Sequence, residues 1–257
     1  NKIVYLHYKI LIMNKKYRII FPDPPWQYGS KSAVNNSNGS EIKKLSEHYS
    51  GLFGRMHGAT IRNLHIESAT LSGAYIGSIC GYATNTTSNN SLIENCYCTH
   101  SNIEAYNYCG GICGYSLNNT QINNCYCSST NITATNNYIG GICGQLISSL
   151  INNCHYLSST IQGFNYVGGI CGSTSNSSSI INSYSKDLTI TATNINAGGI
   201  CGNLIIASNI NKCYCVSSNI KVTDFSYAGG ICGLSNNSTI NNSYCVLNQN
   251  IVAKDSV

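Results

Sequence analysis

Two groups of residues in this chain are of types that do chemistry. One is a run of four, Asp23, Pro24, Pro25 and Trp26, delivered into a loop by an apolar strand at Ile19 to Phe21. It joins a carboxylate, two prolines whose φ is locked and an indole. The other is a set of fifteen cysteines. Fourteen of them fall into columns once a repeat is written out: Cys80, Cys113, Cys143, Cys171, Cys201 and Cys232; Cys96, Cys125, Cys154 and Cys213; Cys98, Cys127, Cys215 and Cys245. Only Cys109 stands outside them.

Thiols at that spacing have three chemistries open to them. As small hydrophobes they form buried ladders, Cys being among the residue types most often buried. As stacked pairs about 4.8 Å apart at Cα they lie inside the range a disulfide bridges, and cysteines in extracellular chains usually pair. Against pairing, the columns are broken by Tyr156, Ser183, Ser185 and Ser243, and the total is odd. As metal ligands, Cys96, Cys98, Cys125 and Cys127 give two C-x-C pairs, whereas zinc sites favour C-x-x-C, so no metal is assigned. The buried ladder is the reading favoured.

The segment Tyr17 to Ser30, YRIIFPDPPWQYGS, resembles the DPPW motif of the MT-A70 family of N6-adenine methyltransferases, and Lys44 to Ser50 (KLSEHYS) is similar to the His-Tyr segment that follows it. The resemblance implies S-adenosylmethionine as cofactor and an adenine in nucleic acid as substrate. Asp23 would contact the adenine amine, Trp26 would stack on the flipped base, and Pro24 and Pro25 would shape the loop that aims the nucleophile. Neighbouring lysines would hold phosphate. The likeness stops near Ser50, short of the strands and helices that bind the cofactor in that family, and fifty residues do not readily supply a core. The implied reading is a truncated relative or fused remnant, with methyl transfer as the alternative function rather than the expected one.

The elements that position all these residues are set by a five-residue phrase. GGICG begins at Gly77 (as GSICG), Gly110, Gly140, Gly168, Gly198 and Gly229, at intervals of 33, 30, 28, 30 and 31 residues, with a degenerate copy at Ser50 to Gly54. A period of this size signals a stacked array whose units bury their apolar faces only against one another. Within one unit Ile112, Ile122, Ile132 and Ile142 are ten residues apart, and the beat continues through Ile151, Ile161, Ile170, Ile181, Ile190, Ile200, Ile210, Ile220, Ile231, Ile240 and Ile251. Helical periodicity is absent, and the segments between are rich in Asn, Ser, Thr and Gly. The pattern predicts an all-β chain: a parallel β-helix of about seven three-sided coils over residues 51–257, preceded by a short non-repeat segment at 1–50. Seven coils give a rod about 30 Å long. A propeller is the runner-up, although its blades usually carry four strands in a longer repeat.

The paired glycines are expected to make corners with positive φ. Tyr97, Tyr126, Tyr184, Tyr214 and Tyr244, each four residues after an isoleucine, are expected to share that residue's face. The repeat resembles the GLUG motif, in which a GGLVG-like phrase is followed by I-x-N-S-Y; QINNCYC (121–127), SIINSYS (179–185) and TINNSYC (239–245) carry the likeness over 51–257. It implies a structural stalk or display surface of the adhesin-like kind, with a carbohydrate or protein ligand, on the cell surface or outside the cell. The methyltransferase resemblance implies the inside of the cell.

Only 9% of the residues are charged, far below the usual quarter, so Asn, Ser and Thr must solvate the surface. The net charge of +5 lies in residues 1–50, and the repeat is neutral, which removes the electrostatic reason to bind nucleic acid outside the methyltransferase alternative. No apolar run is long enough for a helical membrane span. Sequons at Asn85, Asn118, Asn131, Asn176 and Asn236 are expected by chance in so Asn-rich a chain.

Overall fold

The computed structural model describes residues 49–253 except 88, 225–226 and 248–249, together with two short strands, Ile3–Tyr5 and Glu41–Ile42. Asp23, Pro24, Pro25 and Trp26 lie outside the described residues. Every regular element within them is a strand. No helix there is long and apolar enough to cross a membrane.

The chain winds as a parallel β-solenoid of seven coils. One coil shows the plan. Gln121–Asn123 forms a first face, Tyr126–Ser128 a second, Asn131–Ala134 and Asn137–Gly140 a bent third, and Cys143–Ile147 a fourth. Each face pairs in parallel with its counterparts in the coils before and after. On the first face the register runs Ile93, Ile122, Ile151, Ile180, Ile210, Ile240. On the third it runs Ile103, Ile132, Ile161, Ile190, Ile220, Ile251. Inside the array these isoleucines are fully buried, each contributing about 1.5–3 kcal/mol of transfer free energy.

The parallel solenoid follows the expectation, and its coil is divided more finely than the three expected sides. The chain forms four sheets, and the uncounted one is the second face, which presents Cys127, Tyr156, Ser185 or Cys215 to the interior, so counting isoleucines passes over it. The same count put Ile181 in the core; Ile180 occupies that place and Ile181 is half-buried.

The corners correct two further expectations. Among the described glycines only Gly51 and Gly58 have positive φ, so the GGICG glycines are not left-handed. Asparagine does that work between the first and second faces: Asn63, Asn95, Asn124, Asn153, Asn182 and Asn242 have φ of 59, 53, 53, 52, 51 and 49°, with Lys212 at 54°. Asn tolerates this region better than other residues with a Cβ because its short polar side chain bonds locally. The glycines are needed for close approach instead. A Cβ on Gly110 would come within 2.6 Å of the Ile142 carbonyl oxygen and 2.7 Å of the Cys143 Cα in the next coil. The left-handed residue between Ile122 and Tyr126 also reverses the alternation, which places the tyrosines on the outside rather than on the isoleucine face.

Candidate functional site

The cysteines occupy two kinds of position. Cys80, Cys113, Cys143, Cys171, Cys201 and Cys232 are in direct register along the fourth face, an unbroken inner column. Their thiols are aimed at the carbonyls two residues on, Cys143 Sγ to the Gln145 oxygen at 3.2 Å for example. Cys98 and Cys127 stack on the second face, where Tyr156 and then Ser185 continue the column. Tyr156 is fully buried and its hydroxyl donates to the Thr130 carbonyl. Room for this column comes from the second glycine of the phrase. A Cβ on Gly141 would enter the Tyr156 ring, and one on Gly169 would meet the Ser185 Cβ at 2.9 Å.

Cys96, Cys125, Cys154 and Cys213 form a different column, each directly after a left-handed corner residue. The Cys125 amide donates to the Cys154 thiol at 3.4 Å, the Cys154 amide to the Ser183 hydroxyl at 3.1 Å, and the Cys213 amide to the Ser243 hydroxyl at 3.1 Å. The thiol or hydroxyl in turn points at the carbonyl two residues back, as Cys154 does to Asn152 and Ser183 to Ile181. Serine therefore replaces cysteine here without a break, since both accept the amide of the preceding coil and satisfy a buried carbonyl. The other corners use the same device, with Ser178 accepting from Ser149 at 3.2 Å and Ser159 from Thr130 at 3.0 Å. The signal was legible as a pair, an Asn or Ser followed by a Cys, Ser or Thr.

All fifteen cysteines are free thiols, thirteen of them buried. The ladder explains this: in register, Cβ atoms follow the strand spacing of about 4.8 Å, wider than the 3.5–4.5 Å a disulfide needs. Burial pushes the Cys80, Cys143, Cys171 and Cys109 thiols well up, whereas hydrogen bonds with neighbouring thiols hold Cys113 (from Cys143 and Cys80) and Cys98 (from Cys127) below the ordinary value. Among the described residues no group of three or more His, Cys, Asp or Glu side chains is arranged to hold a metal ion.

The outer surface carries repeated aromatic chemistry. On the second face Tyr97, Tyr126, His155, Tyr184, Tyr214 and Tyr244 stack in one column. A second column, Tyr75, Tyr108, Tyr138 and Tyr166, stacks at the bend where the third face meets the fourth, beside the stacked pair Tyr82 and Tyr115. Tyr49 leans on both Tyr75 and Tyr82, and the Arg55 guanidinium lies 5.1 Å from the Tyr82 ring centre. Burial and neighbouring phenols push the Tyr115 hydroxyl up to about 12. Counting tyrosines finds this column except at one rung, where the His155 imidazole takes a tyrosine's place in the stack. Tyr49 and Ser50 pair in register with Tyr75 and Ile76, so both belong to the solenoid.

A family model described as the GLUG motif matches residues 165–191. That stretch is nearly one turn, from the third face of one coil to the third face of the next, and the strand register relates the neighbouring coils to it. No curated protein matches the chain.

Proposed function

We propose that this chain is a structural segment that holds out a display or adhesin-like surface, on a cell or outside it, and has no catalysis of its own. The observation that carries this reading is the continuity of the columns. Inward positions are closed by isoleucine, cysteine and hydrogen-bonded hydroxyls through successive coils, while outward positions repeat Asn, Ser, Thr and Tyr at a fixed rise. A repeated, uncharged outer surface suits weak contacts made many times along an extended carbohydrate or protein ligand. Binding to a panel of surface polysaccharides and matrix proteins tests it. Saturable binding that weakens when outward Asn123, Asn152 and Asn211 are changed together to alanine supports the reading, and retention of full affinity by that variant overturns it.

The alternative rests on the sequence Asp23-Pro24-Pro25-Trp26 and its likeness to N6-adenine methyltransferases. Under it, S-adenosylmethionine is the cofactor and adenine in nucleic acid the substrate. Titration calorimetry with S-adenosylmethionine, followed by methyl transfer to adenine-containing oligonucleotides, decides it. Transfer that is lost in Asp23→Ala would establish the alternative.

A further inference from the structure

The tyrosine columns hold phenols against phenols in a way the display reading does not use. In one, Tyr75, Tyr108, Tyr138 and Tyr166 have ring centres 4.4, 4.9 and 5.3 Å apart and interplanar angles of 16, 6 and 21°. In the other, Tyr97 and Tyr126 are 4.4 Å apart, Tyr184 and Tyr214 4.7 Å, and Tyr214 and Tyr244 5.3 Å. His155 separates the two parts of this second column, lying 5.1 Å from Tyr126 and 4.9 Å from Tyr184. Because each ring covers the face of the next, these columns offer few free ring faces on which a sugar could stack. They are suited to a reaction between neighbouring rings.

We propose that the two columns are sites of oxidative cross-linking, in which dityrosine bonds join consecutive coils when a haem peroxidase consuming hydrogen peroxide acts on the protein. Each of two adjacent phenols gives up its hydroxyl hydrogen as one electron and one proton. The two phenoxyl radicals couple through ring carbons ortho to oxygen, forming one carbon–carbon bond. The hydrogens on those carbons then pass as protons to the oxygens, which restores both phenols. Peroxide takes up the two electrons and two protons and leaves as two molecules of water. The fold contributes proximity: strand register fixes the partner within one ring contact, so coupling is intramolecular and needs no encounter between chains. Burial and neighbouring phenols raise the pKa values of Tyr97, Tyr108, Tyr138 and Tyr214 above the ordinary phenol value, so these groups are protonated at neutral pH and give up the proton together with the electron.

The geometry also says where links do not form. Tyr126 and Tyr184 share no contact because His155 lies between them, and the two most exposed tyrosines among the described residues, Tyr106 at 64% and Tyr227 at 59%, stand outside both columns. The test treats the dilute full chain with a haem peroxidase and hydrogen peroxide, isolates the monomer, and maps links by peptide mass spectrometry alongside dityrosine fluorescence. Expected are links within Tyr75, Tyr108, Tyr138 and Tyr166, between Tyr97 and Tyr126, and within Tyr184, Tyr214 and Tyr244, each with the mass loss of two hydrogens. His155→Tyr is expected to add links to Tyr126 and Tyr184, and Tyr126→Phe to remove the one to Tyr97. Links found chiefly between chains, or chiefly at Tyr106 and Tyr227, overturn the proposal from the wild-type map alone. So does a His155→Tyr protein with an unchanged circular dichroism spectrum and no new link.

Discussion

Replacing Gly140 by alanine tests whether the glycines of the repeated phrase serve close approach between coils. The added Cβ would stand 2.7 Å from the Cys171 Cα and 2.8 Å from the Gly172 nitrogen, and closer still to the Cys143 carbonyl oxygen. Carbon atoms in contact prefer about 3.5–4.0 Å, so the next coil must retreat by about 1 Å, and these are backbone atoms with no rotamer to change. Three ladder bonds cross this corner: Gly141 to Gly168 at 3.2 Å, Ile142 to Ile170 at 2.9 Å and Cys143 to Ile170 at 3.1 Å. Losing them at about 1 kcal/mol each, together with about 1–3 kcal/mol of overpacking strain, gives a destabilisation of about 5 kcal/mol. The control is Gly163→Ala. There the new Cβ meets side-chain atoms and no backbone, the Ile139 Cδ1 at 2.5 Å and Cγ1 at 2.9 Å and the Val167 Cγ2 at 3.1 Å, and the register partner in the next coil is already Ala192. That change is expected to cost about 1–2 kcal/mol of overpacking, well short of the loss at Gly140. Urea denaturation followed by circular dichroism reads both. Equal midpoints for the two variants would refute the close-approach argument.

Other perturbations probe separate parts of the same account. Cys154→Ser is expected to be within about 1 kcal/mol of wild type, because Ser183 fills the same corner one coil on; Cys154→Val, though apolar and of similar size, leaves the Cys125 amide without its acceptor and is expected to cost about 1–3 kcal/mol by the same denaturation assay. Asn153→Ala places an alanine at a φ of 52° and is expected to cost about 1–2 kcal/mol, with Asn153→Gly near wild type. The Cys109 thiol, raised by burial alone, and the Cys213 thiol, raised by burial to about 11, keep protons that the unfolded chain gives up above about pH 8.5, so their contribution to stability is full below about pH 8.5 and is lost as pH rises beyond it. Melting curves taken across that range are expected to show the midpoint dropping in alkali, and a flat profile would refute it.

Much of the fold is legible in the sequence because a solenoid writes its geometry as distance along the chain. The GGICG interval gives the coil, and the ten-residue isoleucine spacing gives three of the inner columns, those of Ile122, Ile132 and Ile142. What misleads is non-local. Gly140 looks like a turn glycine that needs positive φ, and its constraint is instead close approach, by the Cys143 carbonyl three residues on and by Cys171 and Gly172 in the following coil. Tyr126 counts onto the face of Ile122 only if the chain between them is one strand, and left-handed Asn124 interrupts it. The second face escapes notice because its core residues change from Cys127 to Tyr156 to Ser185, three side chains that share no hydropathy class and are united only by the glycine opposite. The candidate chemistry at Asp23 to Trp26 was read from residue types alone, and those residues lie outside the described structure.

The central claim is that the coils are equivalent and joined in register, and removal of one coil tests it most directly. Because Ile151 pairs with Ile180, excising residues 152–180 leaves every face stacked on its counterpart, whereas excising residues 152–166 places first-face residues against third-face ones. Thermal unfolding of the two deletions, followed by circular dichroism, is the measurement. The account predicts that the one-coil deletion keeps a cooperative transition and a β spectrum while the half-coil deletion loses both. A one-coil deletion as disrupted as the half-coil one would contradict it.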